Sequence, residues 1–143
     1  QPAGKHLLIV DDYEGAVDVW AAYLQARGYR VATAVNGHSA VEKAMQLLPD
    51  LIVLDLELPG LSGFEVAQRL RAFPGTSAIP LIAVTGHSHG RPLDLARRSG
   101  FNAVVIKPCN PDTLVQEIER LLSNSSGGVQ PGDLARKQPD TPR

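Results

Sequence analysis

The chain has 143 residues, of which 43% are hydrophobic and 20% are charged, and its formal net charge is −1. This length and composition are typical of a single globular domain with enough apolar side chains to bury a core. The balanced charge gives no support to direct binding of nucleic acid or of a membrane surface.

The cysteine count and the hydropathy indicate the cellular compartment in which the protein is expected to occur. The single cysteine, Cys109, excludes an internal disulfide framework and suits a reducing environment. No apolar run approaches the ~20 residues that span a bilayer, and the N-terminus has no signal-peptide pattern. We therefore expect a cytoplasmic protein. Because the chain begins with Gln1 rather than methionine, we also expect a trimmed or partial sequence.

Five short apolar runs predict β-strands. In chain order they are residues 7–10, 31–34, 51–54, 81–84 and 104–106. Four of the five are apolar throughout and lack polar alternation, which is typical of strands in a parallel sheet that helices cover on both faces.

The segments between these runs have the apolar spacing of amphipathic helices. In four of them, apolar side chains recur three and four residues apart and form one stripe. The stripes are Val17, Trp20, Ala21 and Leu24; Val41, Ala44, Met45 and Leu48; Val66, Ala67, Leu70 and Phe73; and Leu114, Ile118, Leu121 and Leu122. A weaker pattern around Leu93 and Ala96 predicts one more helix before the last strand.

Residues at the ends of the segments agree with these assignments. Gly28 and Gly100 stand where glycine commonly follows the C-terminus of a helix. Ser62 with Glu65 matches a capping box. Asn110 and the proline after it match an N-cap followed by proline in the first helical position.

Five strands that alternate with five helices predict an α/β fold, a doubly wound (βα)₅ domain with helices on both faces of a parallel sheet. We assign the strand order 2-1-3-4-5, in which ligands bind beyond the carboxyl ends of the strands. The predicted domain covers residues 1–122. The Ser-, Asn- and Gly-rich stretch that begins at Ser123 predicts a disordered tail or a linker over residues 123–143.

Polar side chains end four of the predicted strands. They are Asp11 and Asp12 at strand 1, Asp55 at strand 3, Thr85 at strand 4 and Lys107 at strand 5. Because strands 1 and 3 are neighbours in the order 2-1-3-4-5, we expect the three carboxylates to share one crevice. The threonine and the lysine should lie on the same side of the sheet.

This combination of groups indicates phosphoryl-transfer chemistry. Three carboxylates in one place repel one another, which raises their pKa values unless positive charge compensates. Mg²⁺ takes carboxylate oxygens as ligands and relieves the repulsion, and Lys107 adds a second positive charge. A carboxylate can act as the nucleophile, while the cations and a hydroxyl stabilise the transferring oxygens.

Four motifs stand at these strand ends. They are Asp11-Asp12, the segment from Asp55 through Pro59 to Gly63, Thr85-Gly86 and Lys107-Pro108. Together they resemble the receiver domains of two-component response regulators over about residues 5–122. The resemblance implies a flavodoxin-like, CheY-like fold. The stretch from Leu81 to Pro108 is most similar to receivers that are attached to hybrid sensor kinases.

The resemblance also implies an acceptor and a metal site. Asp55 would accept a phosphoryl group from a phosphohistidine of a sensor histidine kinase or a histidine phosphotransfer protein. Asp12, Asp55 and the backbone carbonyl of Glu57 would hold Mg²⁺, and Asp11 would support the ion.

The remaining motif residues are implied to act as a switch. Lys107 would pair with the phosphoryl oxygens, and Thr85 would move to hydrogen-bond them. The bond before Pro108 is usually cis in the family and would aim the lysine into the site. Val104 departs from the pattern, because receivers often carry Tyr or Phe there. We therefore expect the output through the strand 4–helix 4–strand 5 surface to differ.

The function that follows from this resemblance is signalling. The phosphorylated domain would control a partner or an attached output or kinase domain, and it could form a homodimer through helices 4 and 5. It would not be an enzyme beyond its own phosphorylation from phosphohistidine and slow autodephosphorylation.

Each residue of the crevice also has a structural explanation when it is taken alone. Asp11 and Asp12 can complement a helix dipole, and Asp55 can be a turn residue. Thr85 can cap a local turn, and Lys107 can be a solvated surface lysine. Their joint position at four strand ends favours the functional interpretation.

Two other functions stay open. A haloacid-dehalogenase-like phosphatase uses a similar set, but its nucleophile follows strand 1 in an Asp-x-Asp motif that is absent there. A receiver-like interaction module would bind partners without phosphorylation, and Val104 favours it slightly.

Glu57 and His87 either tune dephosphorylation or are ordinary loop residues. His87 and His89 with Cys109 provide too few ligands for a closed zinc site.

Overall fold

The computed structural model describes residues 4–86, 96–107 and 110–126 of the chain. Strands and helices alternate along these residues. They are β1 (His6–Val10), α1 (Glu14–Gln25), β2 (Arg30–Ala34), α2 (Gly37–Leu47), β3 (Leu51–Asp55), α3 (Gly63–Ala72), β4 (Leu81–Thr85), β5 (Ala103–Ile106) and the C-terminal helix (Pro111–Ser126).

The strands form one parallel sheet in the order β2-β1-β3-β4-β5, which confirms the predicted doubly wound architecture. β1 and β3 are hydrogen-bonded neighbours, and Val10 lies opposite Leu54 in their register. The next residues, Asp11 and Asp55, therefore leave the sheet side by side at its carboxyl edge.

Two layers of apolar side chains cover the two faces of the sheet. One cluster packs under α2 and α3 and includes Leu8, Ile52, Leu54, Val66 and Leu70. The other packs under α1 and the C-terminal helix and includes Leu7, Ile9, Leu24, Leu114 and Ile118. The residues of β3 and β4 are buried throughout, whereas β2 and β5 at the edges are partly exposed. This burial explains why the central runs are continuously apolar.

The predicted helix starts are confirmed by their hydrogen bonds. The Ser62 hydroxyl accepts a hydrogen bond from the Glu65 N–H at 3.2 Å, and the Glu65 carboxylate accepts one from the Ser62 N–H at 2.9 Å. Asn110 Oδ1 accepts a hydrogen bond from the Asp112 N–H at 2.8 Å, and Pro111 is the first residue of the C-terminal helix.

The helix C-termini agree with the sequence pattern only in part. Gly28 and Gly100 have positive φ values of 99° and 100°, as their predicted positions require. Leu48 and Phe73 were predicted to end the apolar stripes of two helices, but they are 53% and 42% exposed. Both residues lie just beyond the last helical residue, where the helical period no longer directs a side chain to the core.

Leu48 is also held in a strained backbone conformation. It caps α2 in the left-handed region, with φ 48° and ψ 60°, which costs a residue with a Cβ about 1 kcal/mol. Replacing Leu48 by asparagine is expected to raise the free energy of unfolding by about 0.5–1 kcal/mol, because asparagine tolerates this region. Urea denaturation measures the change. Leu47→Asn is the matched control, since Leu47 is similarly exposed but helical and should show no gain.

Two predictions, the helix before the last strand and the C-terminal boundary of the domain, match the structure only in part. Residues 96–98 are helical, and the rest of the helix predicted around Leu93 lies outside the described residues. The C-terminal helix continues to Ser126, past the predicted domain boundary at residue 122. Within the described ranges, no helix combines the length and the apolar character that a membrane crossing needs.

Candidate phosphoacceptor site

Three carboxylates meet at the carboxyl edge of the sheet. Asp11 and Asp12 follow β1, and Asp55 is the last residue of β3. One carboxylate oxygen of each residue lies within 4.8 Å of those of the other two. Asp11 and Asp55 are buried and Asp12 is exposed, so the cluster opens to solvent on the side of Asp12. The crevice predicted from the strand order is therefore present.

Asp55 is 3% exposed and accepts two hydrogen bonds from the described part of the chain. Its Oδ1 accepts one from the backbone N–H of Glu57 at 2.8 Å, and its Oδ2 accepts one from Nζ of Lys107 at 2.9 Å. Burial raises the pKa of Asp55 above its ordinary value, and repulsion from Asp11 adds to the effect. The two hydrogen bonds oppose this shift without cancelling it. The charged carboxylate is thus oriented but incompletely compensated.

Lys107 bridges two of the carboxylates. Its Nζ lies 2.9 Å from Asp55 Oδ2 and 3.4 Å from Asp11 Oδ2, and its side chain is 42% exposed. Burial lowers the pKa of Lys107, but the hydrogen bond and charge of Asp55 together with the charge of Asp11 outweigh it and leave the pKa raised. The lysine therefore carries a stable positive charge into the crevice.

Backbone hydrogen bonds beyond the strands hold these side chains in place. The Lys107 N–H donates to the Thr85 carbonyl at 2.7 Å, which places the lysine beside the end of β4. The Leu56 N–H donates to the Val84 carbonyl at 3.0 Å. At β1, the Tyr13 N–H donates to Asp11 Oδ1 at 3.0 Å. Asp11, Asp55 and Lys107 therefore sit on hydrogen-bonded continuations of the sheet.

Three more residues that the sequence singled out lie on or next to the strands around the acidic cluster. Thr85 is 1% exposed and ends β4, the strand between those that carry Asp55 and Lys107. Glu57 lies directly beyond the acceptor strand, with an exposed side chain. Val104 is partly buried in β5, where it pairs with Ala83 and packs against the core under α2 and α3.

Several predicted residues lie outside the described ranges. They are His87, His89, Pro108 and Cys109. The hypotheses on dephosphorylation by His87, on zinc and on a cis bond before Pro108 therefore stay predictions.

Gly63 ends the acceptor motif of the sequence, but the motif did not reveal that this glycine packs against the acceptor strand. It is the first residue of α3, and its N–H donates to the Leu56 carbonyl at 3.0 Å. A Cβ at this position would lie 2.5 Å from the Asp55 carbonyl oxygen and 2.6 Å from Leu56 Cα. α3 thus packs directly on the backbone that carries Asp55. The sequence signals were its place at the end of the motif and the presence of glycine at a helix start, where it costs conformational entropy.

The cluster suits a hard divalent cation. Its three carboxylates offer the oxygen ligands that Mg²⁺ prefers. Lys107 is the one cation that the described residues bring against them, so negative charge remains in excess. The exposure of Asp12 gives an ion direct access from solvent. The chemistry of the donor set therefore fits Mg²⁺.

A parallel sheet in the order 2-1-3-4-5 with an acidic cluster at its carboxyl edge is the arrangement of receiver domains. The sequence pattern of the response regulator receiver domain matches residues 7–119. The chain belongs to this family, whose domains act in two-component signal transduction.

Individual relatives agree with the assignment. Protein PilH of Pseudomonas aeruginosa is 34% identical over 117 residues, which cover 82% of this chain and 97% of that protein. Response regulator PleD of Caulobacter vibrioides is 34% identical over 115 residues, which cover 80% of this chain but 25% of PleD. The same domain therefore occurs in relatives of similar length and in much longer ones.

Solved structures agree as well. Chemotaxis protein CheY4 of Vibrio cholerae superposes with a TM-score of 0.78 at 29% identity and covers 82% of this chain and 98% of that one. The receiver domain of sensor histidine kinase PA1611 from Pseudomonas aeruginosa gives a TM-score of 0.79 at 29% identity and covers 85% of this chain and 99% of that one. That domain was crystallised with a magnesium ion coordinated in its active-site cleft.

Proposed function

We propose that Asp55 is the phosphoryl acceptor of this receiver domain. The observation that carries the proposal is the convergence of Asp55 with two more carboxylates and with Lys107 Nζ, 2.9 Å from Asp55 Oδ2. An oriented carboxylate beside a fixed positive charge is equipped to attack phosphorus. The new bond joins a carboxylate oxygen of Asp55 to phosphorus, while the bond from phosphorus to the donor's imidazole nitrogen breaks.

We infer that Asp12, Asp55 and the backbone carbonyl of Glu57 hold Mg²⁺, and that Asp11 supports the ion. The excess of carboxylates over lysine supports this ligand set. When bound, Mg²⁺ would neutralise charge on the phosphoryl oxygens.

Two further residues are proposed to act on the phosphoryl group. Lys107 Nζ, now paired with Asp55, would turn to the oxygens of the phosphoryl group as the aspartate loses its free charge. Thr85 would hydrogen-bond the same oxygens from the end of β4 and so link phosphorylation to the position of that strand. Since Val104 replaces the usual aromatic residue, we propose that the output passes through other contacts.

The partners follow from the chemistry of the donor. We propose that a sensor histidine kinase or a histidine phosphotransfer protein supplies the phosphoryl group in the cytoplasm. The domain would then act on a separate partner, on a second copy or on an attached output domain, because its relatives include both short and long proteins. We place the linker or tail beyond the C-terminal helix.

Intact-mass measurement after incubation with acetyl phosphate tests the proposal. The expected result is a gain of one phosphoryl group that requires Mg²⁺ and disappears when EDTA is present from the start. Absence of any gain with either acetyl phosphate or phosphoramidate would overturn the proposal and favour an interaction module that works without phosphorylation.

The phosphatase alternative makes a different prediction for the same sample. A haloacid-dehalogenase-like enzyme would release phosphate from a generic phosphomonoester over many turnovers. A receiver domain is expected to show almost no turnover of p-nitrophenyl phosphate. Sustained release at a rate proportional to protein concentration would favour the phosphatase.

A further inference from the structure

A cavity of about 530 Å³ lies beside the acidic cluster, between the sheet, α1 and the C-terminal helix. The described residues that line it are mostly apolar and include two charged side chains. The lining residues are Ile9, Val10, Asp11, Ala16, Trp20, Val53, Val84, Lys107 and Leu114. This volume falls in the range of pockets that bind small organic molecules.

A small side chain in the first turn of α1 leaves this space open, because Ala16 lines the cavity with a single methyl group. A hydrogen-bonded clasp connects α1 with the C-terminal helix on the same face of the sheet. The Tyr23 hydroxyl donates to Asp112 Oδ1 at 2.8 Å, and Arg27 donates to the Tyr23 hydroxyl at 2.9 Å. The clasp fixes the spacing of the two helices that flank the cavity.

The charged residues of the lining determine which ligand charge the cavity favours. Asp11 and Lys107 line it, and Asp11 lies within 4.8 Å of two more carboxylates. Among the described side chains, Lys107 contacts Asp11 Oδ2 at 3.4 Å, a long distance that leaves this oxygen able to accept a stronger hydrogen bond. The excess of carboxylates attracts a cation and repels an anion.

We propose that this cavity is a binding site for a small apolar organic cation. A body of one or two rings would pack against the apolar walls and Trp20, and a protonated amine would donate to Asp11. The aromatic face of Trp20 also suits a cationic ligand. The proposal rests on the cavity and its charge, so its test does not depend on phosphorylation.

Nuclear magnetic resonance of the full chain tests the site directly. The chain has a single tryptophan, so its indole N–H gives one unambiguous ¹H–¹⁵N signal from the cavity wall. The probe is protonated 2-(1-naphthyl)ethylamine, titrated in metal-free buffer. The matched anion is 1-naphthylacetate. The cation is expected to shift the Trp20 signal saturably and to bind about tenfold more tightly than the anion.

Two variants on α1 separate the cavity from the surface. Ala16→Met fills the cavity and is expected to weaken binding of the cation at least ~10-fold. Val19→Met adds the same side chain at a position that is 68% exposed and should leave the affinity unchanged. Well-dispersed spectra verify that both variants are folded.

Three results would overturn the proposal. They are a Trp20 signal that the cation does not shift, an anion that binds as tightly as the cation, and an Ala16→Met variant that binds like the parent. The comparison of cation with anion uses the parent chain alone, so it decides the question even if Ala16→Met does not fold.

Discussion

Asp55→Asn is expected to yield a protein that gains no phosphoryl group from acetyl phosphate and yet is more stable than its parent. The loss is complete because the neutral amide has no negatively charged oxygen to attack phosphorus, and the electron pair of its nitrogen is delocalised into the carbonyl group. Oδ1 of asparagine can keep the hydrogen bond from the Glu57 N–H, so the local backbone should not change. Intact mass measures the first effect and urea denaturation the second.

The expected gain in stability follows from the direction of the pKa shift. Burial raises the pKa of Asp55 in the folded state, so folding favours its protonated form and the ionised form is penalised at neutral pH. A neutral asparagine removes this penalty. Lys107 loses one partner but keeps Asp11 and solvent, since its side chain is 42% exposed. We expect a gain of about 1 kcal/mol, which is typical when a functional residue is replaced.

The pH dependence provides the control for this explanation. As the pH falls through the folded-state pKa of Asp55 towards the ordinary aspartate range, the parent protonates Asp55 and the penalty fades. The stability of the variant and of the parent should therefore converge on the acidic side. A variant that is less stable than the parent at pH 7 would show that the pair with Lys107 outweighs the burial of the charge.

The sequence predicted the fold well where the residues at the ends of a segment and the apolar pattern within it point to the same structure. The Ser62–Glu65 capping box is present with both hydrogen bonds, and Asn110 caps the C-terminal helix. The continuous apolar runs gave the central strands because those strands are buried on both faces. The predictions failed at Leu48 and Phe73, since a helical period alone does not show where a helix ends.

The candidate site was predictable in its membership but not in its geometry. Topology alone brings Asp11, Asp55 and Lys107 to one edge of a 2-1-3-4-5 sheet. The pattern could not show that the lysine pairs more closely with Asp55 than with Asp11, because that depends on side-chain reach. It also could not show the contact between Gly63 and the acceptor strand, which arises only when α3 docks.

Gly63→Ala is expected to destabilise the protein and to slow its phosphorylation, although alanine favours helices more than glycine does. The new Cβ would lie 2.5 Å from the Asp55 carbonyl oxygen and 2.6 Å from Leu56 Cα. Both neighbours are backbone atoms, so no side chain can rotate to make room. Overpacking of this kind costs about 1–3 kcal/mol. Urea denaturation measures this loss.

The backbone shift that the new methyl group forces should also disturb the acceptor Asp55. Displacement of the Asp55 backbone moves its carboxylate relative to Lys107, and a misplacement of about 1 Å can slow a reaction roughly 100-fold. We expect phosphorylation by acetyl phosphate to slow by about 10- to 100-fold in the folded variant. Gly75→Ala is the matched control, because a Cβ there would meet Phe73 Cε2 at 3.4 Å, an ordinary contact. If Gly63→Ala matched Gly75→Ala in both stability and rate, close packing of α3 on the acceptor strand would not be what positions Asp55.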